Sequence, residues 1–331
     1  MPGIVELVEA GCVLEGRESG NRPGAVRASE APSGGNGSRS ADDSAERERP
    51  QPTSPPSRRL PPTSVLHETI VRVRLVSLGD LILDVVVSLE QALVPGDDQA
   101  ALTRVGAGGQ AANVAAWAAS LGAEARFVGK RGADAAGELA ARELASRGVE
   151  LAGPVSGRCG VVVSIASSGE RSMASDRGSA TELAPDELDP RWFDCDVLHL
   201  SGYALLRDPA ASAAERAVEL AGAAGARISV DLSSWSLIDD AYRARVRSCG
   251  PEIAFATERE RETFGRLDAN WIVKRGAAGV VVSGVEHQAH QAEVVDSTGA
   301  GDAFAAGFLV GGLEVGLAAA ARCCAKLGAM P

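Results

Sequence analysis

The sequence predicts an α/β protein of the doubly wound kind, a mostly parallel sheet with helices on both faces. Two observations carry this. Short apolar runs, Val197-Leu-His-Leu-Ser, Arg227-Ile-Ser-Val-Asp, Ile253-Ala-Phe-Ala and Trp271-Ile-Val-Lys, have strand length and strand composition. Helical segments lie between several of them, notably 209–224. Repeated β–α–β spacing calls for parallel strands covered on both faces. No internal repeat of fixed period is visible.

Taken in order, Val71-Arg-Val-Arg-Leu-Val-Ser-Leu alternates as a strand and ends at the turn Gly79-Asp80. Leu81 to Leu89 continues as a second extended run. Val105-Gly-Ala-Gly-Gly opens an Ala-rich helix from Gln110 to Ser120, and Arg126-Phe-Val-Gly is a short strand. Ala135 to Ser146 reads as a helix ended by Gly148. Residues 159–166 form a strand, and Ser167-Ser-Gly-Glu turns as a hairpin into Arg171-Ser-Met-Ala. Val280-Val-Val-Ser is a further strand. An apolar strand ending, Val294-Val295, is expected to run into Asp296 and a Gly-Ala-Gly turn. Asp302 then opens an apolar helix.

Composition narrows the function classes. The 331 residues are 45% hydrophobic and 23% charged, ordinary for a soluble globular chain. A net charge of −11 leaves no basic excess for nucleic acid. No apolar run reaches membrane-spanning length, and the first residues lack a basic signal-peptide region. The six cysteines, at 12, 159, 195, 249, 323 and 324, form no Cys-x-x-Cys pair, so reduced thiols in a cytoplasmic protein are expected. His287 and His290 have no third ligand near them in sequence and read as loop histidines. Nine of the sixteen prolines precede residue 63. Residues 1–66 are therefore read as a disordered Pro/Ser/Gly/charged extension, with 67–331 as the folded domain. A docking tail, or translation starting near Val65 or Val71, are the other readings of this extension.

The chemistry concentrates at 294–309. Gly299 and Gly301 let backbone N–H groups approach a ligand closely, and the helix dipole favours negative charge there. A carboxylate one turn away, Asp302, can take a proton from an attacking hydroxyl. An anion hole beside a base is what phosphoryl transfer to an alcohol needs. Upstream, Gly106-Ala-Gly-Gly-Gln-Ala-Ala-Asn113 offers close backbone approach and an amide for hydroxyls. Asp80 and Asp84 flank Leu-Ile-Leu just after the first strand.

The order Asp296-Ser-Thr-Gly-Ala-Gly-Asp-Ala-Phe resembles the second signature of the PfkB or ribokinase-like carbohydrate kinases, and the resemblance runs from about Val71 to the C-terminus. It implies a ribokinase-like fold with a small β lid from about 81–105 and 158–176. It implies Asp302 as catalytic base, with Gly299, Ala300 and Gly301 as the anion hole. Sugar contacts would be Asp84, Gly108, Gly109 and Asn113, with Arg171 or Arg177 reaching an acidic or phosphorylated substrate from the lid. Thr298 and the turn Lys274-Arg-Gly276-Ala-Ala-Gly279 would lie along ATP. Glu260 would organise Mg²⁺ through water. A monovalent cation is a further cofactor expectation, and a lid strand pairing across a two-fold axis would give a homodimer. The substrate would be a small sugar or sugar acid.

Two departures stand out. Thr257 replaces the Asn usual in the Asn-x-x-Glu segment, and only thirteen residues separate Glu260 from Lys274. They motivate a second reading, a catalytically weak sugar- or nucleotide-binding regulator on the same fold. Residues 106–111 also fit a Gly-x-Gly-x-x-Ala dinucleotide fingerprint, but no acidic strand end follows at the expected distance. No P-loop motif occurs.

Overall fold

The computed structural model describes residues 72–331 except 168 and 169, and says nothing of the side chains of 167–171. The expectation for 1–66 and the side-chain role of Arg171 therefore lie outside the described residues. All described residues belong to one unit, His67–Pro331.

The chain begins with β1 (Arg74–Leu78), β2 (Ile82–Leu89), β3 (Ala101–Gly108), α1 (Gln110–Ser120), β4 (Glu124–Val128), α2 (Ala135–Ser146) and β5 (Glu150–Ala152). It continues through β6 (Cys159–Ser167), β7 (Glu170–Gly178), β8 (Val197–Ser201), α3 (Ala210–Ala223), β9 (Arg227–Asp231) and α4 (Asp240–Ser248). The last elements are β10 (Ile253–Thr257), α5 (Glu258–Phe264), β11 (Asn270–Lys274), β12 (Val280–Val282), β13 (Val285–His287), α6 (Ala300–Gly311) and α7 (Leu313–Cys324).

Nine strands form the main sheet in the order β13-β12-β11-β10-β9-β8-β1-β4-β5. It is parallel from β5 to β11, and β12 and β13 add an antiparallel edge. A second sheet, β3-β2-β6-β7, uses 82–89, 101–108, 159–167 and 170–178, extending slightly beyond the segments expected of the lid.

Strand alternation assigns the two faces of the main sheet. Val76, Leu78, Leu198, Leu200, Val230 and Ala254 join one core with residues of α3, α4 and α5. Leu75, Val197, Ile253, Phe255 and Ile272 face the opposite way, into a core with α1, α6 and α7. On this second face the apolar pattern is interrupted. Ser77, His199 and Ser229 stand side by side in register across β1, β8 and β9, followed by Ser201 and Asp231 near the strand ends, and all five are buried. Burial of polar groups costs free energy unless they are paired, so such a row needs a reason beyond packing. Asp231, at the carboxyl end of the row, interacts electrostatically with Asp302 in the first turn of α6.

One expectation is corrected. No strand leads into Asp296; Val294 and Val295 are exposed, and the segment is irregular. The main sheet ends at β13, and the amides of Val295 and Asp296 donate instead to the carbonyl of Cys324 at the end of α7. Thr257 has a structural role at the end of β10. It caps α5, its Oγ1 accepting from the Glu260 amide at 3.3 Å while the Glu260 carboxylate accepts from the Thr257 amide at 2.7 Å. Thr257→Ala is expected to cost about 1 kcal/mol, read as a lower denaturant midpoint at unchanged m-value. The short segment 261–273 holds the end of α5, a five-residue link at 265–269 and most of β11, with no further helix.

Candidate active site

The site forms where α1 and α6 begin, above the polar row. Gly299 opens α6 in the left-handed region, at φ 74°, and a Cβ there would run into Ala329. Only glycine meets both conditions without strain. Gly109 does the same for α1, at φ 104°, where a Cβ would strike the Asp80 carbonyl. Each helix thus starts abruptly, with first-turn amides not used inside the helix. The Ala300 amide makes a long 3.3 Å contact with the Ser297 carbonyl.

Asp302 sits in the first turn of α6 and accepts a 2.8 Å hydrogen bond from Asn113 Nδ2 on α1. Burial, helped by the charges of Asp231 and Asp80, pushes its carboxyl up to about 7, against the lowering effect of Asn113 and Lys274. A carboxyl poised there can exchange a proton at neutral pH. Asn113 is buried, and its Oδ1 has no partner among the described residues. With Nδ2 held by Asp302, that oxygen keeps its full accepting capacity.

Around this pair the structure gathers Asp231, Tyr203 and Ser233, which no sequence motif marks, together with Gln110, Asp80 and Arg177. Asp231, at the end of β9, pairs with Lys274 at the end of β11. Asp80 is buried and pairs with Arg177 of β7 at 2.5 Å. The Arg177 guanidinium also lies 3.4 Å over the Tyr203 ring, tying the small sheet to the main domain. Ser233 Oγ donates to Gln110 Oε1 at 2.7 Å. The acidic strand end in Arg-Ile-Ser-Val-Asp231 is the signal that points to this residue, since ligands in open α/β sheets bind beyond the carboxyl ends of strands. Below, His199 shares a 2.9 Å hydrogen bond with Ser229, and burial lowers its pKa to about 4, so it stays neutral.

Other expected residues are placed as follows. Gly108 packs against Asp84 across the β2–β3 pair. The Lys274 ammonium is turned inward to Asp231 and lies beside Gly301. Gly276 and Gly279 bracket the turn between β11 and β12; space beside Gly276 is open, whereas Gly279 lies against the backbone at the end of β13. Thr298 is buried and its hydroxyl donates to Asp296 at 2.5 Å, so that hydroxyl is already engaged. Glu260 is buried near the end of β10. A cleft of 880 Å³ runs beside the site between β7 and the loops after β8 and β9. Arg158, Arg177, Tyr203, Arg207 and Ser234 are among its lining.

Among the described residues no group of three His, Cys, Asp or Glu side chains could hold a metal by itself, and no helix is long and apolar enough to cross a membrane.

Known proteins resemble this chain in sequence and in fold. A sequence model described as pfkB family carbohydrate kinase matches residues 73–330. The chain is 31% identical to an ATP-dependent ribose-1-phosphate kinase of Halopiger xanaduensis and 30% identical to a fructokinase of Escherichia coli, each match covering 72% of this chain and 84% of the relative. Among solved structures, adenosine kinase from Sinorhizobium meliloti superimposes with a TM-score of 0.69 at 25% identity, covering 79% of this chain and 96% of that one.

Proposed function

The chain belongs to the PfkB family of carbohydrate kinases, and on that premise we propose that it transfers the γ-phosphoryl group of ATP to a hydroxyl of a sugar or sugar acid. The observation that carries this reading is the Asp302 carboxyl, held by Asn113 at the open start of α6 and pushed up to about 7. In this reading Asp302 takes the proton of the attacking hydroxyl. The amides of Gly299, Ala300 and Gly301 face the charge on the transferred group. Asn113 Oδ1, with Asp84, Gly108 and Gly109, orients the sugar. Arg177 reaches it from the small sheet, whose closure excludes water.

The residues fit Mg-ATP. Mg²⁺ typically keeps several waters and binds through phosphates and one or two carboxylates, so a site without a protein cage suits it. Glu260 would hold its water shell. Lys274, Gly276, Gly279 and Thr298 would flank the nucleotide in this reading, and the open space beside Gly276 supports close approach there. When bound, Mg²⁺ supplies charge neutralisation between the phosphates.

The test is ADP release by the purified chain with Mg-ATP across sugars, sugar phosphates, sugar acids and nucleosides. A substrate-dependent signal supports the kinase. Silence across the panel, with ATP still raising the melting temperature, points to the binding-only regulator, which the short 261–273 segment keeps in view. A pH profile adds a sign. The base must be ionised, so kcat/KM should fall about tenfold per unit below pH 7 and level off above it. A profile flat from pH 5 to 8 would remove Asp302 from the base role.

A further inference from the structure

A pair of opposite charges lies directly under the first turn of α6. Lys274 ends β11 and Asp231 ends β9, and their side chains meet across β10, which runs between them. Both are largely out of water, with side chains 15% and 2% exposed. Asp231 Oδ1 is fixed by the Ser233 amide at 3.2 Å. The ammonium lies close beside Gly301, where a Cβ would stand 3.2 Å from Nζ. Gly301 therefore leaves the space that Lys274 occupies, one residue from Asp302. The pair is more than a strand-end tie. It is costly to bury two charges, and well-packed apolar residues would close the same space at least as stably.

We propose that Lys274 and Asp231 are positioning residues, two fixed charges of opposite sign set beside Asp302 so that its carboxyl stands ready as a base at neutral pH. The inference rests on the kinase reading of Asp302.

The charged and titratable groups facing Asp302 come from every element around it. They are Asp80 after β1, Asp231 on β9 and Lys274 on β11. Cys323 of α7 and Tyr203 after β8 also sense it, and burial pushes both pKa values up, so both are neutral near pH 7. Asn113 on α1 is its hydrogen-bond donor. Lys274 keeps its charge. Burial opposes that charge, but Asp231, Glu260 and Asp302 together outweigh burial and raise its pKa. The two members of the pair act on Asp302 with opposite sign: Asp231 holds the proton on, and Lys274 draws it off.

This yields a test that a merely structural pair would not pass. Carboxyl ¹³C NMR titration of the ligand-free full chain, with the Asp302 resonance assigned by its loss in Asp302→Asn, reads the midpoint directly. Asp231→Asn leaves an unmatched ammonium beside Asp302, and the midpoint should fall by about one unit or more. Lys274→Met leaves carboxylates alone, and the midpoint should rise by a similar amount. The double variant should return toward the wild-type value, and Lys274→Arg, which keeps the charge, should leave it in place. Midpoints that stay still, or that move the same way in both single variants, overturn the proposal. If Lys274→Met does not fold, the near-isosteric Asp231→Asn decides alone, since a rise or no shift contradicts the proposal. The acid limb of kcat/KM should follow each midpoint. Failure of the kinase reading would look different: the midpoints would move as stated, while no member of the substrate panel supported ADP release.

Discussion

Asp302→Asn is expected to lower kcat by about 10²–10⁴-fold, the usual contribution of a positioned general base, while nucleotide binding persists. The substitution is close to isosteric. Asn keeps an oxygen that can accept from Asn113 Nδ2, the 2.8 Å bond that joins α6 to α1. Misfolding is therefore not the expected cause of lost turnover, and linkage gives an independent check. The folded-state pKa of Asp302 is raised to about 7 from an ordinary value of 3.8. The folded protein thus holds this proton more tightly, and the stability it brings is lost as pH rises through about 7. At pH 8 the wild-type chain carries the cost of a buried carboxylate that the Asn variant does not. The variant should melt at the same temperature or higher there. An inactive variant with an unchanged or raised melting temperature, still stabilised by ATP, fits the base. A variant within tenfold of wild-type activity does not.

Trp117→Ala should destabilise the fold by about 3–5 kcal/mol, the range for removing a large buried aromatic side chain. Trp117 is 1% exposed in the core between the sheet, α1, α6 and α7. Its Nε1 donates at 2.8 Å to the carbonyl of Ala329, beyond the end of α7. The substitution therefore leaves a cavity and also an acceptor without its donor. Ala329 is the residue against which Gly299 packs, so the loss should reach the turn at 299–301 that opens α6. Thermal unfolding should shift down by roughly 10 °C, and ATP should restore less stability than in wild type. A shift of only a degree or two would mean that the tail after α7 carries no such load.

Part of the site is legible in the residue order. Gly-Ala-Gly-Asp at 299–302 and Gly-Gly-x-x-x-Asn at 108–113 are local motifs whose backbone demands can be read from residue type, and both open helices here. Asp231 and Lys274 are legible only in part. Each ends an apolar strand in the sequence, but their partnership depends on two strands placed either side of β10. Asp80 reads locally as a turn residue, yet it is buried because Arg177, ninety-seven residues away in the chain, comes to meet it. Val294 and Val295 mislead in the other direction. Apolar character alone suggests a strand, but the segment joins neither sheet, and the end of α7 takes the hydrogen bonds of its Val295 and Asp296 amides.

Residue order alone dictates the α/β class, the succession of elements and the two glycine-led helix starts, because periodicity and φ preference act within a few residues of chain. Which charges share the buried space around Asp302 is settled only by assembly of the sheet. Burial and Coulomb interaction depend on distances through space, and those exist only once the parallel strands stand side by side.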